Sequence, residues 1–191
     1  RCQISPGGGG VGHHFHNTTE EMFVIFDGEA EFTIDGRTSA LSGTVGAPVR
    51  MGHSHAIYNP GPTPVEFMNI NVSLVKGRYD AFDLDDPRVG VPKDDTPVFM
   101  TMRLDRDRLR ATDAYRGGTG TAMYRRALDP SVFLTNWLYV DHLLLPPGAS
   151  HGMQRHAGVG GGVITIVAHA RRAGVGGATT SWSCQVGWPR R

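Results

Sequence analysis

The chain has 191 residues, and its 26 Gly and 12 Pro together make about a fifth of it, well above the roughly 12% that is usual. Only 19% of the residues are charged and the net charge is +1, so a helix bundle, a coiled coil and a nucleic-acid or membrane partner are not expected. Glycines without a three-residue period exclude collagen, and 3 Trp, 5 Tyr and 8 Phe exclude wholesale disorder, which leaves a β-rich globular protein with many turns.

The first hundred residues predict strands joined by tight turns. Residues 21–26 form an apolar run closed by Asp-Gly, and 30–34 alternate polar and apolar residues before a second Asp-Gly pair. The second pair, Asp35-Gly36, is typical of a tight hairpin. Further strands are predicted at 65–72 and 97–102, and the Asp- and Pro-rich stretch 83–95 is interpreted as a surface loop.

The second half is less regular. Residues 103–131 are charged and contain Gly, so they predict a connecting segment that opens with a short helix. Strand-like sequence returns at 132–140 and 143–145, before a Gly-rich end. The expected organisation is therefore a first domain at 1–102, the connection, and a second unit at 132–191. Acidic residues interleave with the arginines of 103–110, which favours a solvated face over nucleic-acid binding.

The cysteine content and the hydropathy of the chain indicate its compartment and whether it associates with a membrane. Cys2 and Cys184 are the two cysteines of the chain. They do not make a disulfide framework, and we expect a cytoplasmic, reducing environment. The sequence contains neither an apolar run of membrane-spanning length nor a signal peptide, so no membrane partner is expected.

Five of the nine histidines fall within two short segments, and their spacing suggests a metal site. On a strand, His14 and His16 share a face with their Cα atoms about 6.6 Å apart, while Phe15 packs on the other side. Glu21 opens the next strand after a turn-prone segment, where a hairpin can return it to the pair. His55 can add a fourth ligand from a neighbouring strand.

Three imidazoles and one carboxylate suit Fe, Mn, Co, Ni, Cu or Zn better than Ca or Mg. One carboxylate against a divalent ion leaves a net positive centre. Octahedral coordination would leave about two positions open for water, oxygen or an anionic substrate.

These residues carry a resemblance to a known family. The series Gly8-x5-His14-x-His16-x4-Glu21-x6-Gly28 resembles the first motif of the cupin superfamily. The series Gly46-x5-Gly52-x2-His55-x3-Asn59 resembles its second motif, with Arg50 where the family has proline. The resemblance covers about 4–75 and implies an all-β, jelly-roll barrel whose divalent transition metal is held by His14, His16, Glu21 and His55.

Neighbouring polar residues have other expected roles. Glu20 competes with Glu21 as the carboxylate ligand, and the spacing to Gly28 favours Glu21. His13 and His53 have the wrong strand parity to join the same centre, so they are expected beside it or at the surface. Asn59 is expected to shape a turn. Three further side chains are candidates for lining a substrate pocket: Arg50, Tyr58 and Asn69.

A partial second copy follows at an offset of 140 residues. Residues 145–156 parallel 4–16, but the ligand positions become Gln154, His156 and Gly161. The resemblance therefore implies a truncated second cupin unit without a metal site. Since few residues precede Ile4, we expect that first strands are missing or that the barrel is completed from elsewhere. Residues 178–185 resemble a cupin strand only when back-translated one base out of phase, which raises the hypothesis of a frame shift.

The resemblance implies a metal-dependent enzyme that acts on a small anionic or enolisable molecule. We favour a dioxygenase with iron; with Zn, Ni or Mn, an isomerase, cyclase or decarboxylase is the alternative. Glu21 could also act as a base if it leaves the metal. The other alternative is a non-catalytic module that binds a sugar or a carboxylate. Unpaired edges of incomplete barrels favour a homodimer.

Overall fold

The computed structural model describes residues 2–75 and 77–153 in full, and the backbone of 164–169. The chain divides into two compact units, Arg1–Arg103 and Leu104–Arg191. The residues on which the second copy's ligand positions depend, Gln154, His156 and Gly161, lie outside the described residues, as does the 178–185 segment. No helix among the described residues is long and apolar enough to cross a membrane.

The first unit is built from short strands. In chain order they are β1 (Cys2–Ile4), β2 (Gly9–Phe15), β3 (Thr19–Ile25), β4 (Glu29–Ile34), β5 (Arg37–Ser42), β6 (Val45–Val49), β7 (His55–Asn59), β8 (Val65–Ser73), β9 (Phe82–Asp83) and β10 (Met102–Arg103). They form two antiparallel five-stranded sheets, in the orders β1-β8-β3-β6-β10 and β5-β4-β7-β2-β9. The prediction of an all-β fold is confirmed.

The apolar core of the first unit draws on both sheets. One sheet contributes residues such as Phe23 and Ile25, and the other contributes Phe32 and Ile57; all four are no more than 1% exposed. Burial of such side chains stabilises the folded state by roughly 1.5–3 kcal/mol each. The two sheets therefore face each other across one shared interior.

Strand β3 shows how this interior also receives a polar residue. Because alternate side chains of a strand share a face, Glu21 lies on the same face as Phe23 and Ile25, which belong to the core. Glu20 lies on the opposite face. The alternation that buries two core residues thus also aims one carboxylate into the interior.

The predicted hairpin at Asp35-Gly36 is confirmed. Ile34 pairs directly with Arg37 across a two-residue loop. Asp35 and Gly36 both have positive φ, 49° and 74°, as the hairpin turn that fits the strand twist requires. Asp-Gly satisfies that requirement because Asp tolerates the left-handed region and Gly has no Cβ.

Two predicted strands are wrong. In 97–102, only Met102 joins a strand, where it pairs with Gly46; Pro97 lacks the N–H that a ladder needs, and the residues after it have no strand partner. In 132–140, the rings of Phe133 and Trp137 stack with centroids 4.5 Å apart. These apolar side chains are buried by ring packing, and the strand begins only at Val140.

The second unit contains a four-stranded sheet. Its strands are β11 (Arg110–Asp113), β12 (Thr121–Leu128), β13 (Val140–Leu145) and β14 (Ile164–His169), in that order, with β13 and β14 parallel. Short 3-10 helices lie at Arg106–Arg108, Tyr115–Gly117 and Pro130–Val132. The segment 103–131, predicted as a connection, thus holds two strands that pair with each other and, through β12, with β13.

His142, on β13, makes the stability of the second unit depend on pH. It is 3% exposed and its Nδ1 has no hydrogen-bond partner among the described residues. Burial, with the nearby charges of Arg125 and Arg106, lowers its pKa from 6.5 to about 4. Between those pH values His142 is protonated in the unfolded chain and neutral in the folded chain. The free energy of unfolding therefore falls as pH falls from 6.5 to about 4.

We expect this slope to approach about 1.4 kcal/mol per pH unit for the single group. It is measured by urea unfolding at several pH values, followed by tryptophan fluorescence. His142→Gln, which carries no charge at any of these pH values, should flatten the curve by that amount. Equal slopes in both proteins would contradict the prediction.

Candidate metal centre

Four side chains converge in the interior of the first unit: His14, His16, Glu21 and His55. One ligand atom from each lies within 4.8 Å of all the others. His14 near the end of β2 pairs directly with His55 at the start of β7, and Glu21 reaches them from β3. None of the four is more than 5% exposed. The structure therefore brings together the set that the motifs predict.

Each imidazole is oriented by a peptide carbonyl. His14 Nδ1 is 2.6 Å from the Gly12 oxygen, and His55 Nδ1 is 3.0 Å from the His53 oxygen. His16 Nδ1 bonds the Asp80 oxygen. A carbonyl only accepts, so each Nδ1 must carry the hydrogen. In each neutral ring, the lone pair is then on Nε2, the atom that faces Glu21.

Glu21 Oε2 is the point on which the three rings converge. It lies 2.5 Å from His16 Nε2, 3.1 Å from His55 Nε2 and 3.5 Å from His14 Nε2. The other oxygen, Oε1, is buried without a hydrogen-bond partner among the described residues. Lone pairs and a carboxylate converge here, so the cluster needs positive charge at its centre.

The pKa shifts of these groups have the same origin. Burial raises the pKa of Glu21, but hydrogen bonds from the protonated forms of the three histidines outweigh burial and hold it far below the ordinary value. Burial lowers the pKa of His14 and His16, and the bond of each to Glu21 outweighs it, so both are raised.

Protons alone are a poor source of that positive charge. Three buried imidazolium ions around one carboxylate would leave two uncompensated positive charges, which is costly away from water. A single divalent ion satisfies the three Nε2 atoms and the carboxylate at once. The donor set therefore fits a transition-metal ion, and the cluster could hold one.

Gly52 supports this centre from the second motif. Its φ of +80° lies in the left-handed region that disfavours residues with a Cβ. Its N–H donates to the backbone oxygen of His16 over 2.6 Å. The turn that leads to His55 is thereby tied to the strand end that carries another ligand.

The neighbouring residues of the motifs take separate places. Glu20 is buried on the face of β3 that points away from Glu21. His53 is half-exposed and bonds Asp35 over 2.6 Å. Asn59 shapes its turn as predicted, since its amide donates to the Thr63 oxygen over 2.8 Å and accepts from the Gly61 N–H.

The three pocket candidates are scattered. Arg50 is exposed after the end of β6. Tyr58 lies on the face of β7 opposite His55, where it lines a separate cleft of about 450 Å³ together with His13. Asn69 lies on β8 and pairs directly with Phe23 of β3, so the two side chains share the interior face of the sheet. The Asn69 side chain is nevertheless exposed to solvent.

Asn71, which sequence reasoning missed, lies next to Asn69 on that interior face. It pairs directly with Glu21 and donates to the Asn69 side chain over 2.8 Å. Its own Oδ1 is buried without a partner among the described residues. Alternation along 65–72 could have indicated it, because it falls two positions after Asn69.

Sequence reasoning also missed Tyr79 and Asp80, which lie outside both motifs. The Tyr79 ring packs against the His16 ring with centroids 5.1 Å apart. Burial and the negative charge of Glu21 raise the pKa of Tyr79. No local pattern indicates these contacts, because they join residues more than sixty positions apart.

Of the comparisons with known proteins, the match to a family model agrees with the motifs. Residues 1–71 match the family model of the cupin domain, and no curated protein matches the chain. A predicted oxalate decarboxylase from Thermotoga maritima is 30% identical, with 38% of this chain and 62% of that chain covered and a TM-score of 0.36.

Two more solved structures are similar at lower identity. An uncharacterized conserved protein with a double-stranded β-helix domain from Klebsiella pneumoniae is 23% identical, with 42% of this chain and 64% of that chain covered and a TM-score of 0.38. A mutant of Bacillus subtilis oxalate decarboxylase is 16% identical, with 65% and 43% covered and a TM-score of 0.35.

The chain spans less than two thirds of the length of each of these three structures. The family match at 1–71 contains all four residues of the cluster. Residues 1–71 of this chain are thus similar to the cupin domain, in agreement with both motifs.

Proposed function

We propose that the first unit binds one divalent transition-metal ion through His14, His16, Glu21 and His55, and that it is an enzyme acting on a small anionic or enolisable molecule there. The observation that carries the proposal is the convergence of three Nε2 atoms on Glu21 Oε2. The orientation of each ring by a carbonyl supports it, because ligands held in one tautomer are typical of metal sites.

A bound ion would supply Lewis acidity, and a redox-active one would also permit oxidation by dioxygen. The chain's residues supply the rest. One carboxylate leaves the site positively charged with a divalent ion, which favours an anionic oxygen of the substrate. Asn69 and Asn71 lie on the Glu21 face, and their amides can hydrogen-bond and orient a polar substrate. We favour a dioxygenase, since three histidines and one carboxylate suit iron(II).

Metal analysis of the full chain, purified without chelators, tests the proposal. We expect about one equivalent of metal in the wild type and only traces in a His14→Ala/His55→Ala double variant. His151→Ala is the matched control, because His151 lies in the second unit, where its ring packs against the Tyr115 ring with centroids 5.2 Å apart. The proposal fails if the wild type carries no more metal than the double variant.

The identity of the retained metal directs the second assay. With iron, oxygen uptake in the presence of phenols and 1,3-diketones is expected in the wild type and absent in the double variant. With zinc, nickel or manganese and no oxygen uptake, the dioxygenase proposal is wrong, and isomerisation or decarboxylation of the same substrate classes becomes the reaction to assay.

A further inference from the structure

The segment around Tyr79 and Asp80 contacts the metal cluster although it lies beyond the residues that match the family model, 1–71. Tyr79 and Asp80 contact His16 and the turn that follows it. The other two histidine ligands take their carbonyl partners from residues only two positions away, Gly12 and His53. His16 alone among the three depends on a distant part of the chain for its orientation.

The side chain of Asp80 is fully engaged by that turn. Oδ2 accepts the Asn17 N–H over 2.7 Å. Oδ1 accepts the Thr18 N–H over 3.2 Å, the Thr18 hydroxyl over 2.5 Å and the Thr19 hydroxyl over 3.3 Å. Hydrogen bonds to a charged acceptor are worth more than neutral ones, so the carboxylate fixes the position of its own peptide group relative to 16–19.

The backbone of Asp80 makes a separate hydrogen bond to the His16 ring. Its carbonyl oxygen accepts the Nδ1–H of His16. Asp80 is therefore linked to His16 in two ways. Its carboxylate bonds residues 17–19, which continue from the His16 backbone, and its carbonyl oxygen bonds the His16 ring. The Tyr79 ring packs against that imidazole with centroids 5.1 Å apart and a tilt of 56° between the rings.

We propose that Asp80 and Tyr79 are positioning residues of the metal centre, which hold the His16 ring in the tautomer and direction that present Nε2 to the ion. The inference rests on the proposed metal binding at this cluster. Neither residue touches the ion; both act through His16. Partners of this kind change metal affinity by about 10–100-fold when removed.

The test is the affinity and the visible absorption spectrum of Co²⁺ bound to the full chain. We expect Asp80→Ala to weaken binding by about 10–100-fold, and to change the ligand-field bands even at saturating Co²⁺. Asp80→Asn, which keeps one acceptor oxygen, should fall between. Tyr79→Phe should behave as the wild type, while Tyr79→Ala should show a smaller change in the same direction as Asp80→Ala.

Asp85→Asn is the matched control. Asp85 is an exposed carboxylate five positions later, and its φ of 51° is one that Asn also adopts. Wild-type affinity and spectrum in Asp80→Ala would overturn the inference, as would equal weakening in Asp80→Ala and Asp85→Asn. If Asp80→Ala does not fold, Asp80→Asn decides by the same criteria. A wild type that binds no Co²⁺ instead contradicts the proposed function.

Discussion

Glu21→Gln is expected to release the metal, whereas Glu20→Gln is expected to retain it. The two residues are neighbours on β3, and both are 1% exposed. Only Glu21 faces the histidines, with Oε2 as near as 2.5 Å to an Nε2. The substitution to Gln preserves volume and removes the single negative charge of the cluster, so three neutral imidazoles remain as ligands.

The loss in affinity should exceed the roughly 10–100-fold typical of groups that only support a ligand, because a charged ligand itself is removed. It is measured by competition with a chromophoric chelator at pH 7.5. Glu20→Gln controls for the burial of a new amide on the same strand. If both variants keep wild-type affinity, or if Glu20→Gln is the one that loses metal, the assignment of Glu21 is wrong.

The second large effect is on thermal stability. A ligand that binds only the folded state at a thousand times its dissociation constant adds about 4 kcal/mol. For a domain near 100 residues, each kcal/mol shifts the unfolding temperature by roughly 4 °C or more. We therefore expect removal of the ion by a chelator to lower the unfolding temperature of the first unit by on the order of 15 °C.

Calorimetry with and without added metal measures this shift. It should shrink as pH falls, beginning above pH 6.5, because the pKa of His14 and of His16 is raised above that ordinary value of His and the imidazoles must lose protons to bind an ion. The His14→Ala/His55→Ala variant should unfold at the same temperature with or without metal. A shift of similar size in that variant would show that the ion acts elsewhere.

Three residues of the cluster, His14, His16 and Glu21, could be predicted from the sequence because they lie within eight consecutive positions, and His55 because it falls in the second motif. A period of two places His14 and His16 together. The hairpin expected to return Glu21 to them is wrong, because β2 and β3 belong to different sheets, and Glu21 reaches the histidines from the facing sheet. The same period places Phe23 and Ile25 in the core. Such patterns are readable because each depends on a few consecutive residues.

Other features depend on partners far along the chain, and for these the sequence was a weaker guide. An apolar run such as 132–140 predicts a strand. In the structure, the rings of Phe133 and Trp137 stack on each other, and the backbone before Val140 does not pair in a sheet. Tyr58 was a pocket candidate, but it points away from His55, because the two are three positions apart on β7. Asp80 carries no local signal, since its importance comes from a turn over sixty positions earlier.

The three bonds between imidazole Nδ1 atoms and peptide oxygens have a consequence for metal choice. Rings held in this way cannot rotate to suit ions of different preferred geometry, so discrimination among divalent ions depends on shape more than on intrinsic affinity. The shape is set by the peptide groups of Gly12, His53 and Asp80. For the proposed ion, we therefore expect metal preference to depend on these main-chain positions, and a substitution that shifts one of these peptides should alter it while leaving all four side chains in place.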